Sequence, residues 1–434
     1  MGRGEFMRVI VGSPLWSLNG VNTFSAALVR GLRSRGVEAH ILLTNPPRLD
    51  TKPLSRQQDF PIVSLSVAKY ARWQVRWQAM IDYLEAHAPC IYLPNHDWLH
   101  SCVSPCLSSR VGIVGIVHSD DPEHYEHATR LGPYWNGVVS VSAYIRAQLE
   151  KLKISQSVVT IPYGVQVAAQ LPKRDPQRPL RLIYAGRLVQ AQKRILDLPH
   201  IVTALVRRGV PVQLTIVGNG WDKSRLIAAS HSHLASGAIQ LLETQPQEQV
   251  RQLFQQHDVF LLPSEFEGLP LALLEAMGQG CIPVVSDIRS GVPQLVQNGI
   301  NGYRVPIGDI STFAERLTYL QQDPAMRQIM AEKAYESMQR SAYRTETMVE
   351  GYWQLLNNIW KTLTNSTYRR PRGPILPPPP SILTWRDQLP SMIRAIWDAY
   401  RRFNHAHRSS SSYLSRPIRD LYSRSNHGLV RSRM

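Results

Sequence analysis

The stretch Pro263-Ser264-Glu265-Phe266-Glu267-Gly268-Leu269-Pro270, running on to Leu274-Glu275-Ala276-Met277, holds two carboxylates eight positions apart around a Gly-x-Pro turn. The apolar run Val259-Phe260-Leu261-Leu262 comes just before it, and a helix-like run with Pro270 near its start comes just after. The pattern reads as a strand, a loop and a helix N-terminus. Proline suits the first helical position, where its missing N–H would have no partner. The backbone amides between Gly268 and Ala272 are then free to meet a phosphate, which makes Gly268, Leu269, Pro270 and Leu271 candidate binding residues. Glu267 can accept hydrogen bonds from sugar hydroxyls, and Glu275, a turn further in, can hold a ribose diol. Taken singly, the two also read as a surface acid and a helix acid.

Outward from this junction, short apolar runs alternate with helical patterns, twice over. A first series of strands is expected at 8–13, 39–44, 61–66, 90–95, 111–118, 138–142 and 158–163, with helices such as 22–34 and 143–152 between them. A second series is expected at 181–185, 212–218, 239–242, 259–263, 282–287 and 302–305, with helices at 195–208, 247–256, 270–280 and 311–321. Such alternation predicts α/β architecture with parallel sheets covered on both faces. Two series predict two doubly wound, Rossmann-like domains, 7–165 and 180–344, joined by the Gln- and Pro-rich linker 166–179. At 434 residues the chain is too long for one ordinary core. Residues 1–6 read as an extension before a start at Met7. A last helical pattern, 345–364, carries Met348, Tyr352, Leu355, Leu356 and Ile359 near helical spacing.

Ligands of open α/β sheets bind beyond the carboxyl ends of the strands. Three further pieces fall at such ends. In Leu18-Asn19-Gly20-Val21-Asn22, Gly20 allows either an ordinary tight turn or close approach of backbone to a ligand. In Val117-His118-Ser119, His118 is either a surface histidine or a hydrogen-bonding partner for a sugar hydroxyl. In Ala185-Gly186-Arg187-Leu188 the strand ends at Gly186, and Arg187 and Lys193 offer cations to an anionic ligand; a solvated basic loop is the alternative.

Together these marks resemble the family-4 retaining glycosyltransferases (glycosyl transferases group 1) of GT-B fold, over about residues 7–362. Val141-Ser142 before a helix, Pro162-Tyr163-Gly164-Val165 and Val217-Gly218-Asn219-Gly220 add to the likeness. The resemblance implies a hexosyltransferase-type enzyme that moves a sugar from a nucleotide-diphosphate-sugar donor to a hydroxyl of a glycan or lipid-linked acceptor. It implies that Arg187 and Lys193 hold the donor diphosphate, Glu267 the donor sugar and Glu275 the nucleotide ribose. His118 would lie by the donor sugar, Gly20, Gly186 and Gly218 would line the donor site, and the 345–364 helix would cross back to the first domain. A front-face mechanism follows, with the diphosphate as leaving group. No D-x-D motif occurs, so neither a metal nor a cofactor is expected. The chain departs from the family at Asn19-Gly20, where a Gly pair is usual. It departs again at Tyr163, where Asn is common, at Arg194, where Gly is usual, at Gln294, where an acid often occurs, and at 342–344, where Trp is frequent.

The formal net charge is +17, and residues 366–434 supply +10 of it, with thirteen Arg against three Asp and neither Lys nor Glu. Pro-rich residues 369–380 read as an extended spacer, and 389–403 as an amphipathic helix. Residues 68–84, with Lys69, Arg72, Arg76, Trp73 and Trp77, read either as a packed helix or as a basic helix lying on anionic membrane. The four cysteines form no C-x-x-C pair and fit a reducing compartment. The expected location is the cytoplasm, with peripheral attachment to the cytoplasmic face of a membrane. Two other functions compete: nucleic-acid binding through the Arg-rich tail, and a GT-B protein that binds or isomerises sugar nucleotides without transfer.

Overall fold

The computed structural model describes residues 6–44, 59–68, 71–95, 97–154, 157–175, 178–339, 342–364 and 369–378. The chain parts into two compact units, 1–69 with 73–382 and 70–72 with 383–434. Both sheets belong to the first unit; of the second, only Ala71 and Arg72 are described. The helix expected at 389–403 lies outside the described residues.

Two sheets form the body. Strands β1 Arg8–Ser13, β2 Glu38–Leu43, β3 Ile62–Ser64, β4 Cys90–Leu93, β5 Val111–Val117, β6 Gly137–Ser140 and β7 Val158–Thr160 pair in the order β3-β2-β1-β4-β5-β6-β7. Strands β8 Leu180–Ala185, β9 Val212–Val217, β10 Ile239–Leu242, β11 Val259–Leu262, β12 Ile282–Ser286 and β13 Tyr303–Val305 pair in the order β10-β9-β8-β11-β12-β13. The pairing is parallel throughout. Strand order reverses between β1 and β4 and again between β8 and β11, and crevices open at such switch points. Parallel strands are covered on both faces, so β5 (VGIVGIV) is buried along its whole length. Its Gly115 has no room for a side chain, since a Cβ would fall 2.1 Å from the Trp135 ring. In the second sheet, Leu182, Leu214, Ile216 and Val284 form one core with Leu205, Phe313 and Leu317 from the covering helices.

Six helices bear on the cleft and on the joining of the sheets: α1 Gly20–Arg33, α2 Trp73–Ala86, α3 Gln190–Lys193, α4 Gln247–Gln256, α5 Leu271–Gly278 and α6 Thr345–Leu363. Helix α6 returns to the first sheet. Its Val349 fills the space over Gly31 of α1, and Ile359 and Leu363 fill that over Gly112 of β5. The two passages between the sheets run together, for Val165 N–H donates to Tyr343 O (2.8 Å) and Thr345 N–H to Val165 O (3.2 Å).

Helix α2 takes the packed reading. Trp73 and Trp77 are buried, and the Trp77 indole donates to Leu99 O at 2.9 Å. Arg76 is buried with them and donates to Thr44 O at 2.8 Å. No helix among the described residues is long and apolar enough to cross a membrane. All four cysteines are free thiols.

Residues 369–378 are irregular, as their prolines require, but they are docked rather than free. Arg370 is buried; its Nη1 donates to Val111 O (2.6 Å) and Asn136 Oδ1 (3.0 Å), and its Nη2 to Leu107 O and Ser108 O (3.0 Å each). Gly373 N–H and Leu376 N–H donate to Pro105 O and Cys102 O.

Candidate active site

A cleft of ≈ 170 Å³, open to solvent, lies at the carboxyl ends of β8 and β9 against the first turn of α1. Asn19, Gly20 and Thr23 line one wall. Gly186, Arg187, Gly218, Asn219, Gln247, Leu271, Ala272 and Glu275 line the other. Asn19 caps α1 by accepting Asn22 N–H at 2.9 Å, and a Cβ at Gly20 would meet nothing within 4 Å, so that wall is open. The loops after β8 and β9 are joined by Gly186 N–H to Val217 O (3.0 Å) and Leu188 N–H to Asn219 O (2.9 Å). They meet so closely that a Cβ at Gly218, whose φ is +150°, would fall 2.0 Å from Gly186 O.

Glu275 stands on α5. Pro270 precedes that helix as its N-cap, with ψ 108°, one position earlier than the sequence pattern placed it. Leu271 and Ala272 therefore open the helix, and both line the cleft, where N-terminal amides favour an anion. Glu275 Oε1 accepts from Gln247 Nε2 at 2.7 Å. Burial pushes its carboxyl up to about 7, against the Gln247 hydrogen bond and the Arg251 charge, which act the other way.

The second acid, Glu267, sits in the loop between β11 and α5. Its Oε1 takes both Lys193 Nζ (2.5 Å) and Ser264 Oγ (2.7 Å), and the Lys193 and Glu267 side chains are largely buried. Lys193 ends the single turn of α3, which Arg194 closes in the left-handed region (φ 47°). Arg194 pairs with Asp197 (2.8 Å) and Glu265 (3.0 Å). Gln192 links the pieces: its Oε1 accepts from Arg187 Nη2 (2.6 Å), its carbonyl from Glu265 N–H (2.8 Å), and its Nε2 donates to Phe266 O (3.4 Å).

His118 follows β5. Its Nδ1 lies 2.6 Å from the Tyr163 hydroxyl, and the two rings stack, 5.8 Å between centroids and 17° between planes. Burial pushes the imidazole down to about 3, so it is neutral. Burial, aided by the Glu267 charge, pushes the Tyr163 phenol up. Gly268 is where the acid loop meets the His118 loop, since a Cβ there would fall 2.2 Å from His118 O. Its carbonyl accepts Gly291 N–H at 2.8 Å, and the buried Leu269 side chain packs toward Gly291.

Of the residues singled out in the sequence, Gly20, Gly186, Arg187, Gly218, Leu271 and Glu275 line the cleft. Lys193, Glu267, Gly268, Leu269, Pro270 and His118 do not; they stand on the acid loop and the segments bonded or packed against it. Gln247 and Gln192 were not legible, because each acts through hydrogen bonds to residues distant in sequence, and Ser264 was not, because its bond to Glu267 depends on how the loop folds. Tyr163 was visible as part of a family motif in which it departs from the usual Asn, with no role assigned to it. Among the described residues, no group of three or more His, Cys, Asp or Glu could hold a metal ion. The arrangement suits a ligand with hydroxyls at two places and negative charge between them.

Residues 170–337 match the family model described as glycosyl transferases group 1, and residues 18–169 match that of Glycosyltransferase Family 4. Over 178 residues the chain is 32% identical to the amylovoran biosynthesis glycosyltransferase AmsK of Erwinia amylovora, an alignment covering 38% of this chain and 43% of that relative. It therefore spans less than half the length of that protein. Over 372 residues it is 25% identical to the N-acetyl-alpha-D-glucosaminyl L-malate synthase of Bacillus anthracis, covering 77% of this chain and 93% of the relative. Among solved structures it is similar to S. aureus TarM in complex with UDP and alpha-GlcNAc-glycerol, with TM-score 0.70, 12% identity and coverage of 81% and 100%. It is also similar to Anabaena Alr3699/HepE in complex with UDP-glucose, with TM-score 0.66, 16% identity and coverage of 81% and 100%. At such identities the likeness concerns the fold, which is GT-B as expected: two Rossmann-like α/β sheets.

Proposed function

The chain belongs to the group 1, family-4 glycosyltransferases, and from that premise we propose that it moves a sugar from a nucleotide-diphosphate-sugar donor to a hydroxyl of a growing glycan, with retention at the anomeric carbon. One observation carries the reading. Glu267 and Glu275 flank a turn that leads into a helix N-terminus at the cleft, and a cation, Lys193, is paired with the first of them. In this reading Glu275 holds the ribose diol, while Leu271 and Ala272 amides and Arg187 take the diphosphate. Glu267, tied to Lys193 and Ser264, faces the sugar, with His118 on the opposite loop.

The chemistry is a front-face displacement. The bond from the anomeric carbon to the diphosphate oxygen breaks, and its electron pair leaves with the diphosphate. Arg187, Lys193 and the helix amides oppose that growing charge, and stabilisation of this kind supplies most of the rate enhancement in many enzymes. The acceptor hydroxyl bonds to the same face of the sugar, and its proton passes to a diphosphate oxygen. Two-carboxylate hydrolases place both acids beside the anomeric carbon. Here the acids serve different parts of the donor, so neither is the nucleophile.

The test is a thermal-shift panel of nucleotide sugars, with UDP-glucose and UDP-GlcNAc first, followed by transfer to glycan acceptors and mass analysis of the product. A true donor raises the midpoint by mass action. Glu275→Ala and Lys193→Ala are each expected to abolish transfer in protein that stays folded. Turnover at wild-type rate in either variant overturns the assignment.

A further inference from the structure

We propose that Tyr163 is a positioning residue that fixes His118 as the tautomer carrying its proton on Nε2, so that His118 offers the donor sugar a hydrogen-bond donor and not a base. The proposal rests on the placement of His118 beside the sugar in the proposed function.

Counting protons decides between the tautomers. His118 Nδ1 and the Tyr163 hydroxyl share one bond of 2.6 Å. His118 Nε2 is buried and has no hydrogen-bond partner among the described residues. Suppose the phenol accepts from Nδ1–H. Its own O–H then needs another acceptor in a buried place, and Nε2 becomes a lone pair without a donor. Suppose instead the phenol donates to Nδ1. Only Nε2–H is then left over. Each buried polar group without a partner costs about 1–3 kcal/mol, so the arrangement with one such group prevails. Both groups are neutral across the working range, since burial pushes the imidazole down to about 3 and the phenol up.

The rings cannot easily turn out of this bond. Tyr163 stacks on His118, and Phe24 packs on both, at 5.4 Å from Tyr163 and 5.6 Å from His118 between centroids. Phe24 is itself packed on Tyr352 at 5.6 Å. The remaining Nε2–H is the kind of group that a ligand oxygen satisfies. A sugar hydroxyl can accept from it and still donate its own proton to a carboxylate such as Glu267.

The experiment is nitrogen NMR of the full chain labelled with 15N-histidine at neutral pH, with the His118 signals assigned by their loss in His118→Gln. The expected wild-type result is a protonated Nε2 and an unprotonated Nδ1. In Tyr163→Phe the two tautomers are expected to mix, and kcat to fall about tenfold with the donor KM changed less than about twofold. A wild-type His118 protonated on Nδ1 overturns the proposal, and so does an unmixed Nε2–H tautomer in Tyr163→Phe. If that variant does not accumulate, the wild-type spectrum alone decides. A changed tautomer with unchanged kinetics upholds the role of Tyr163 and overturns instead the placement of His118 at the sugar.

Discussion

Consider the affinity for a nucleotide sugar at about pH 6 and about pH 8, on either side of the Glu275 titration. Its carboxyl is buried and pushed up to about 7 from an ordinary 4.5. A ribose diol brings two donors, and only the carboxylate form can accept both without a competing proton. Binding then draws on the ionised fraction, about one tenth at the lower pH and about nine tenths at the higher. Affinity is expected to rise about tenfold, or about 1.4 kcal/mol, across the interval. The diphosphate of a nucleotide sugar is esterified at both ends and has no proton to lose here, so the protein is the source of the effect. Calorimetry in buffers of unlike ionisation enthalpy should find about half a proton released per ligand bound near pH 7. Glu275→Gln has no proton to release and is expected to bind weakly, with no such slope. Stability runs the other way. The unfolded carboxyl ionises near 4.5 while the folded one waits until about 7. Stability is therefore full below about 4.5 and falls as pH climbs through about 7, by about 3 kcal/mol in all. Urea unfolding of Glu275→Gln is expected to lack that fall. A flat wild-type affinity with no proton released would remove Glu275 from the ribose.

Gly218→Ala puts a methyl group 2.0 Å from Gly186 O at a φ of +150°, so the loops after β8 and β9 must part. The expected result is a lower thermal midpoint and a loss of at least about tenfold in nucleotide-sugar affinity, and a variant as stable and as tight as wild type contradicts it. Arg370→Ala leaves the carbonyls of Leu107, Ser108 and Val111 without that donor. It is expected to cost about 3 kcal/mol, read from the urea midpoint, and a shift of less than about 0.5 kcal/mol would show the docking to be incidental.

The strands could be read from the chain because a parallel sheet covered on both faces needs unbroken apolar runs, and Val111–Val117 and Val259–Leu262 are such runs. Glu267 and Glu275 were legible because a strand, a turn and a helix start fix their relation locally. Helix α2 was ambiguous for the opposite reason. Basic residues and tryptophans at helical spacing describe a membrane-surface helix as well as a packed one. What decides is the Thr44 carbonyl that receives Arg76, 32 positions away in no visible pattern. The same holds for Gln247 on Glu275, and Ser264 on Glu267 is a contact that only the folded loop reveals. Gly268 was read as one of the amides free to meet a phosphate, and the structure gives its glycine a further cause, the backbone of His118 pressed against it. Docking of Arg370 was hidden because most of its acceptors are main-chain carbonyls, which every sequence has.

The two passages of chain between the sheets are bonded side by side, Val165 to Tyr343 and Thr345 to Val165, with Gly164 pressed on the Arg344 backbone. In kinematic terms that is a pin. Two bodies joined at one line can swing about it but cannot slide past one another without breaking the bonds that form it. For such a linkage a small turn at the pin becomes a large excursion at the far lips. The angle is then set at two places, this pin and the contact of Gly268 with the His118 backbone.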